Sequence, residues 1–404
     1  MTDALARTAR EAGGRVIAAL AARYRDLDLA EEAFADACLA AAEAWTDAPP
    51  RDPAAWLYAA ASRRALDRLR RRRVRADKRP DAPEPEPTAE DHMLSDAAII
   101  PEERLRLIFV CCHPALAPDA RAALALKVVC GLPTAVLAGA FLVSEAAVAQ
   151  RLVRAKRKIA DAGVPFELPP PDRWADRLDA VLSTLEVAYA QAYADAAGAS
   201  EHAAFAEEVL RLSGLLARLT PDEPEALALA ATVRFAEARR PARLDAEGAM
   251  VPLSEQVPAL WRADLIAEGE DLLRRAAAIG RRPGARALQA AVHAAHLDRR
   301  RGRATPWRAV LALYDALLTV RDDPVVRANR LTALAEVAGA EVALSELARL
   351  DAPPGWAPRR ALEAHLLFET GRRVEAAALW RGLAAEAAPA ERRWLERRAA
   401  EASG

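Results

Sequence analysis

The sequence predicts an all-α protein with two small helical domains followed by a longer α-solenoid. Hydrophobic residues make up 53% of the 404 residues, but aromatic residues only 5%. Alanine and leucine favour helices, whereas strands are rich in β-branched and aromatic side chains. Apolar residues also recur with the helical period between breaks at proline and glycine. We expect a first helical domain at 1–79, a linker at 80–100, a second helical domain at 101–165 and the solenoid at 166–404.

The first domain should contain three helices. The first helix is predicted over Thr8 to Arg25, and the second begins after Asp28. The apolar face of the second helix should contain Leu29, Ala33, Phe34, Ala37, Ala41 and Trp45. The opposite face carries Glu31, Glu32, Asp36 and Glu43. A proline-rich loop at 46–53 follows, and Pro53 suits the first turn of the third helix.

The third helix carries seven arginines within the eleven positions Arg63 to Arg73. Such a run repels itself unless an anion is present, and arginines preceded by Trp56 are typical of nucleic-acid binding. The alternative interpretation is that Trp56 is a core residue. The segment Arg63–Arg79 has ten Lys/Arg and two Asp, a charge of +8. The following residues 80–96 have six acidic and no basic residues, and their prolines predict a flexible linker.

A helix-turn-helix is predicted between Leu124 and Ile159. Gly131 and Pro133 should end its first helix, Thr134–Phe141 forms a short second helix, and Ser144 can cap the third. In this last helix an apolar stripe consists of Val148, Leu152, Ala155 and Ile159. Amide and basic side chains lie off the stripe at Gln150, Arg151, Arg154, Arg157 and Lys158. This pattern favours insertion into a DNA major groove, although helical pairs with basic faces are common.

The predicted solenoid consists of amphipathic helices with short breaks. Gly302, Gly339 and Gly371 lie 37 and 32 residues apart in similar helix-turn-helix settings. These spacings lie on either side of the roughly 34-residue period of tetratricopeptide (TPR) repeats. We therefore expect TPR-like units with a concave surface that binds a peptide or protein. Residues 243–261 interrupt the helical pattern, either as a structural connector or as a contact with the preceding domains.

Catalytic and metal-binding motifs are not found. The cysteines Cys38, Cys111, Cys112 and Cys130 are irregularly spaced and suggest buried thiols in a reducing compartment. His293 and His296 are three residues apart on one helix, but no carboxylate accompanies them in a metal-binding pattern. We expect no cofactor, no metal and no enzymatic activity. The charged N-terminus and the absence of a long apolar run predict a cytoplasmic protein without a membrane segment.

The order of these segments resembles bacterial extracytoplasmic-function (ECF) sigma factors of the sigma-70 family. The resemblance covers residues 8–163 and combines DLDLAEEAFADACLAAAEAW, DPAAWLYAAASRRALDRLRRRR and the helix-turn-helix. These correspond to sigma regions two and four. The segments IPEERLRLIFVCCHPALAP and FLVSEAAVAQRLVRAKRKIADAGVPFE resemble a subgroup that carries a long C-terminal helical-repeat extension.

The resemblance implies that the partners are promoter DNA and the RNA polymerase core, through its β′ clamp helices and β flap. Polymerase contact is expected from Glu31, Glu32, Phe34 and Asp36. Contact with the −10 element is expected from Arg51, Trp56, Arg63, Arg64, Arg68 and Arg71. Contact with the −35 element is expected from Ser144, Gln150, Arg151, Arg154, Lys156, Arg157 and Lys158. The extension is expected to regulate the sigma domains in cis, by intramolecular contact.

Two other functions fit the residues. One is a DNA-binding regulator with a repeat sensor domain that never joins polymerase, and the other is a TPR-like interaction scaffold. Association with the polymerase core separates a sigma factor from the first, and promoter-specific transcription separates it from the second.

Overall fold

A computed structural model describes residues 2–45, 49–76, 101–129, 134–141, 143–164, 174–194, 203–353 and 355–403. The described residues are helical apart from turns and an isolated antiparallel bridge between Leu244 and Met250. This confirms the predicted all-α class. The structure divides into two compact units. The first contains the described residues within Met1–Ala192 and Glu201–Leu215, and the second those within Tyr193–Ser200 and Leu216–Gly404.

The helices of the first unit follow one another in chain order. They are α1 Thr2–Tyr24, α2 Leu27–Ala44, α3 Pro53–Ala76, α4 Pro101–Cys111, α5 Pro118–Val128, α6 Thr134–Phe141, α7 Glu145–Asp161 and α8 Ala175–Ala194. Helix α9, Ala203–Leu219, continues from this unit into the second. Helix α1 begins earlier than expected, at Thr2 instead of Thr8.

Helices α1, α2 and α3 pack around the fully buried side chains of Leu20, Leu29 and Leu57. Asp26 caps α2, because its Oδ1 accepts from the backbone N–H of Leu29 at 2.9 Å. Glycine at position 13 lets α1 approach α2 closely, since a Cβ there would lie 3.0 Å from Cζ of Phe34. Each methylene buried in such a core contributes about 0.8 kcal/mol.

Helices α4 to α7 form the next cluster, and α8 covers α4. Phe109 of α4 is fully buried and packs against Trp174, with ring centroids 5.1 Å apart. Nη1 of Arg177 donates to the backbone oxygen of Phe109 at 3.4 Å. Helix α4 also packs against α1, so the two helical clusters of the first unit are in contact.

The second unit consists of helices that pack against their neighbours in chain order. After α9 they are α10 Pro224–Arg239, α11 Ala263–Ala278, α12 Ala285–His296, α13 Trp307–Leu318, α14 Pro324–Ala338, α15 Ala340–Leu347, α16 Ala357–Glu369, α17 Arg373–Ala384 and α18 Pro389–Ser403. The turn glycines Gly302, Gly339 and Gly371 all have positive φ, between 71° and 95°. Only glycine adopts this conformation without cost, so these residues set the helix breaks.

Residues 243–261 form an irregular segment, which we call the strap, with a short 3₁₀ turn at Pro258–Leu260. Its N-terminal half contacts the last helix, since the Met250 N–H donates to the Ala390 oxygen at 3.0 Å and Arg397 pairs with Asp245. Its C-terminal half is held by Arg299, whose guanidinium donates to the backbone oxygens of Leu253 and Gln256. The strap thus connects distant parts of its own unit.

Candidate nucleic-acid interface

Helix α7 has a buried apolar stripe on one side and an exposed polar face on the other. Ser144 caps its N-terminus as predicted, because its Oγ accepts from the Ala147 N–H at 3.2 Å. The stripe is buried at all four predicted positions: Val148, Leu152, Ala155 and Ile159. The opposite face is exposed at Gln150, Arg154, Arg157 and Lys158. Gln150 and Arg154 lie one helical turn apart, and Nε of Arg154 is 3.3 Å from the backbone oxygen of Gln150.

Two predicted DNA-binding residues of α7 point elsewhere. The Arg151 side chain is only 23% exposed and lies 3.8 Å from the carboxylate of Asp119 in α5. Lys156 is turned toward α2, where its Nζ lies 3.1 Å from Oδ1 of Asp28 and also pairs with Glu31. Burial opposes the charge of Lys156, but the hydrogen bonds and charges of Glu31 and Asp28 outweigh it and raise its pKa. The lysine is therefore fully charged at neutral pH.

Helix α3 presents the predicted arginine surface. Arg63, Arg64 and Arg71 are exposed, as is Arg51 in the preceding loop. Arg68 is different, because it donates to Glu32 at 2.6 Å and, through Nε and Nη2, to Asp36 at 3.0 and 2.7 Å. The hydrogen bond to Asp36, together with the charges of Asp36 and Glu32, raises the pKa of Arg68 above the ordinary value of an arginine.

The structure therefore brings together residues that the sequence assigned to different partners. Glu32 and Asp36 were expected to contact polymerase, and Arg68 was expected to contact DNA. A cavity of about 280 Å³ lies beside this ion pair. Its charged lining residues are Asp36, Arg64, Asp67, Arg68, Arg71 and Arg72. Four arginines against two aspartates leave this surface positive, which suits a phosphate backbone.

The two aromatic residues with predicted binding roles, Phe34 and Trp56, are partly buried. The Trp56 ring packs edge-on against Trp45, which is buried, with centroids 5.6 Å apart. Phe34 is partly buried and packs over Gly13 of α1. Both rings contribute to packing within α1–α3, and neither stands free on the surface. A role of Trp56 in base stacking and of Phe34 in polymerase binding remains a prediction.

Sequence reasoning missed two acidic partners. Asp26 both caps α2 and pairs with Arg72 at 2.8 Å. Asp28, in the first turn of α2, pairs with Lys156 across 128 positions of the chain. The capping role of Asp26 had a local signal, since aspartate before an apolar helix is a common N-cap. Nothing in the local sequence indicates either of the two long-range ion pairs.

Some predicted features lie outside the described residues. These are the acidic linker at 80–100, Cys130, Gly131, Pro133 and the loop residues 46–48.

No cluster of three or more potential metal ligands occurs among the described residues. His293 is in contact with Arg239, whose Nη2 lies 2.7 Å from Nδ1 of the imidazole, and a cation would be repelled there. Burial raises the pKa of Cys38 to about 11 and that of Cys112 to about 12, so both thiols are protonated at neutral pH. No helix in the described ranges is long and apolar enough to cross a membrane.

These features define a helical protein with an arginine-rich surface on α3, a helix-turn-helix whose last helix has an exposed polar face, and a helical domain after them. Comparison with known proteins finds matches to families over the same segments of the chain. Residues 9–75 match sigma-70 region 2, residues 106–159 match sigma-70 region 4, and residues 177–277 match a family of unknown function, DUF6596. An uncharacterised protein of Rhizobium meliloti (strain 1021) is 38% identical over 370 residues, covering 90% of this chain and 87% of the relative. No solved structure gives a significant match.

The chain therefore belongs to the sigma-70 family and is an RNA polymerase sigma factor.

Proposed function

We propose that this sigma factor is of the ECF type and uses regions two and four as two separate promoter contacts. The observation that carries this proposal is the pairing of the α3 arginine surface with the exposed Gln150–Arg154 face of α7 in one chain. Phosphate contacts position a protein on DNA, whereas contacts to base edges give specificity. Two separate contact regions can supply phosphate contacts and base contacts at both the −10 and the −35 element.

Region four would read the −35 element in the major groove through Gln150 and Arg154. Glutamine pairs well with adenine and arginine with guanine, each contributing about 1–3 kcal/mol of discrimination. The exposed Arg157 and Lys158 would contact the phosphate backbone, as would Arg151 and Lys156 after leaving their partners. The Oγ of Ser144 lies at the helix N-terminus, where the partial positive charge favours a phosphate.

Region two would hold the melted −10 element. Extruding a base costs a few kcal/mol in lost pairing and stacking. Arg51 and the exposed arginines Arg63, Arg64 and Arg71 can offset part of this cost by neutralising phosphates. Trp56 lies at the start of the same helix, next to the loop, where a flipped base would stack.

Polymerase binding would use the acidic face of α2, with Glu31, Glu32 and Asp36. In the free protein these carboxylates are paired with Lys156 and Arg68. Basic side chains of the polymerase would have to replace Lys156 and Arg68 as partners of these carboxylates. We infer that the free protein is held in a closed arrangement, in which region four covers part of the polymerase-binding face of region two.

Regulation in cis by the C-terminal domain is a further part of the proposal. The start of the extension packs on region four, since Trp174 contacts Phe109 and Oγ1 of Thr184 lies 3.7 Å from Sγ of Cys112. A change in the extension can therefore act on the position of α4. The rest of the extension would form a TPR-like domain, as its turn glycines and successively packed helices suggest. We place the domains at 1–79, 101–165 and 166–404.

Reconstituted transcription from a promoter library, with polymerase core and the full chain, tests the function. A sigma factor makes the core initiate at promoters that share −10 and −35 elements. If the protein binds DNA alone and does not associate with the core, it is a regulator of another kind. If it directs no specific initiation although it binds the core, the promoter-reading roles are wrong.

A further inference from the structure

A buried arginine in the second unit has no acidic partner among the described residues. Arg239, the last residue of α10, is 3% exposed. Its Nη2 lies 2.7 Å from Nδ1 of His293, and its Nη1 has no hydrogen-bond partner among the described residues. A guanidinium stays protonated in proteins, and a buried charge without a counter-charge is strongly destabilising.

Two adjoining cavities lie beside this arginine. Arg239 and His293 line the smaller, of about 260 Å³. The larger, of about 740 Å³, contains the aromatic side chain of Trp307. The two cavities share the lining residues Leu253, His296, Tyr314 and Asn329. They therefore form one groove with a charged end and an aromatic flank, whose wall includes Leu253 of the strap.

The histidines of the groove do not add positive charge. Burial, and then the charge of Arg239, lower the pKa of His293 well below its ordinary value. Burial and the nearby arginines lower the pKa of His296 to about 4. Because Nδ1 of the neutral His293 accepts from Arg239, the ring proton lies on Nε2. His293 is thus a hydrogen-bond donor as well as a support for the arginine.

The other charged groups leave one positive charge in excess at the smaller cavity. Its remaining charged lining residues are Arg321 and Asp323. The Asp323 carboxylate caps α14 by accepting from the Val326 N–H at 2.9 Å. Two arginines and one aspartate give a net charge of +1, which one carboxylate neutralises.

We propose that this groove binds a small molecule with one carboxylate, which pairs with the guanidinium of Arg239 in the lining of the smaller cavity. Charge-assisted hydrogen bonds between guanidinium and carboxylate are about twice as strong as neutral ones. A planar apolar body would lie toward Tyr314 and Trp307 in the larger cavity. The C-terminal carboxylate of a short peptide presents the same chemistry, so both sources are included in the test.

The test is calorimetric titration of the purified full chain, without polymerase or DNA, so that its outcome is independent of the sigma function. The probes are acetate, benzoate, phenylacetate and the dipeptide Gly-Phe, each compared with its primary amide. We expect at least one acid to bind at least tenfold more tightly than its amide. Binding confined to Gly-Phe would assign the groove to peptide termini. If no acid binds better than its amide, the proposal is wrong.

Variants separate binding from folding. Arg239→Met should abolish the preference for acid over amide without lowering the melting temperature of the unliganded protein, because it removes an uncompensated buried charge. Arg239→Lys keeps the charge and should retain part of the preference. Arg274→Gln, on an exposed surface of α11, should change neither property. If Arg239→Met binds acids as the native protein does, Arg239 has a purely structural role. The same conclusion follows if Arg239→Met loses much of its thermal stability while Arg239→Lys binds acids normally.

Discussion

Lys156 of the helix-turn-helix pairs with Glu31 of α2, and its Nζ also lies 3.1 Å from Oδ1 of Asp28. The three side chains are 18%, 23% and 61% exposed, so the pair with Glu31 is shielded from solvent. Lys156 is a predicted DNA contact and Glu31 a predicted polymerase contact. While they pair with each other, neither is available to its proposed partner. The proposed function therefore requires polymerase and DNA to compete with this contact.

Lys156→Ala should strengthen binding to the polymerase core, because it releases the carboxylates of α2. A partly buried ion pair contributes about 1 kcal/mol, which corresponds to roughly a fivefold change in affinity. The measurement is the dissociation constant for core enzyme in the absence of DNA. Lys158→Ala, an exposed lysine of the same helix, is the control and should leave the constant unchanged. An unaltered constant in both variants would show that the pair does not restrain the protein.

Arg154→Ala and Arg157→Ala should separate base reading from backbone binding. We expect Arg154→Ala to reduce transcription from promoters with an intact −35 element, by an amount equivalent to about 1–3 kcal/mol of binding free energy. The effect should be smaller where that element is altered. Arg157→Ala should weaken binding to all sequences about equally and lower its salt dependence. The measurement is run-off transcription on matched promoter pairs over a range of salt. Equal loss of selectivity in both variants would contradict the assignment.

Arg68 should stabilise region two through its pairs with α2. Its side chain is 36% exposed and that of Asp36 32%, so we expect a coupling energy of about 0.5–1 kcal/mol. The measurement is a double-mutant cycle of Arg68→Ala and Asp36→Ala on the free energy of unfolding. Arg63→Ala, which removes an exposed arginine of the same helix, should leave stability nearly unchanged. Additive effects of the two substitutions would mean that the pair makes no net contribution.

The helices and buried faces were largely predictable, because they depend on local pattern. The stripe Val148 to Ile159 has a period that only a helix satisfies, and Ser144 carries its own capping signal. The all-α class follows from composition in the same way. The exposure of Gln150, Arg154 and Arg157 on α7 was also predictable, since polar side chains off an apolar stripe tend to lie at the surface. Arg151 and Lys156 lie off the same stripe but pair with acidic side chains of other helices.

Contacts between distant helices were not predictable. Lys156 looked like another basic residue of α7, and nothing in its neighbours indicates that Asp28 and Glu31 lie opposite. The same holds for the strap, whose contact with the Ala390 oxygen joins positions 140 residues apart. Such pairings depend on how whole helices pack, and a single sequence contains no local signal for that.

Gly269→Ala should destabilise the second unit. A Cβ at this buried glycine would lie 2.5 Å from Cε1 of Phe235, which is fully buried in α10. Overpacking of this kind costs about 1–3 kcal/mol. The measurement is the denaturant midpoint of unfolding. The double variant Gly269→Ala with Phe235→Leu should recover part of the loss, because the smaller side chain leaves room. No loss in the single variant would show that the two helices can separate without cost.

Acidification should destabilise the second unit through the partly buried His293 and His296. The pKa of His296 is about 4 in the folded protein and that of His293 also lies below its ordinary value of 6.5. Both imidazoles therefore take up protons more readily when unfolded, so stability is full above pH ~6.5 and falls progressively toward pH ~4. At pH 5 the expected loss from His296 is about 1–2 kcal/mol. The measurement is the free energy of unfolding at pH 7 and pH 5.

The matched variants for this pH effect are His296→Gln and His365→Gln. His296→Gln removes one of the titrating groups and should reduce the difference between the two pH values, because glutamine does not take up a proton. His365→Gln, in α16 and away from the groove, should leave the difference as it is in the native protein. Carboxylates elsewhere contribute equally to all three proteins, so their effect cancels in this comparison. A native-like loss in His296→Gln would mean that acid destabilises the protein by a route that does not include this histidine.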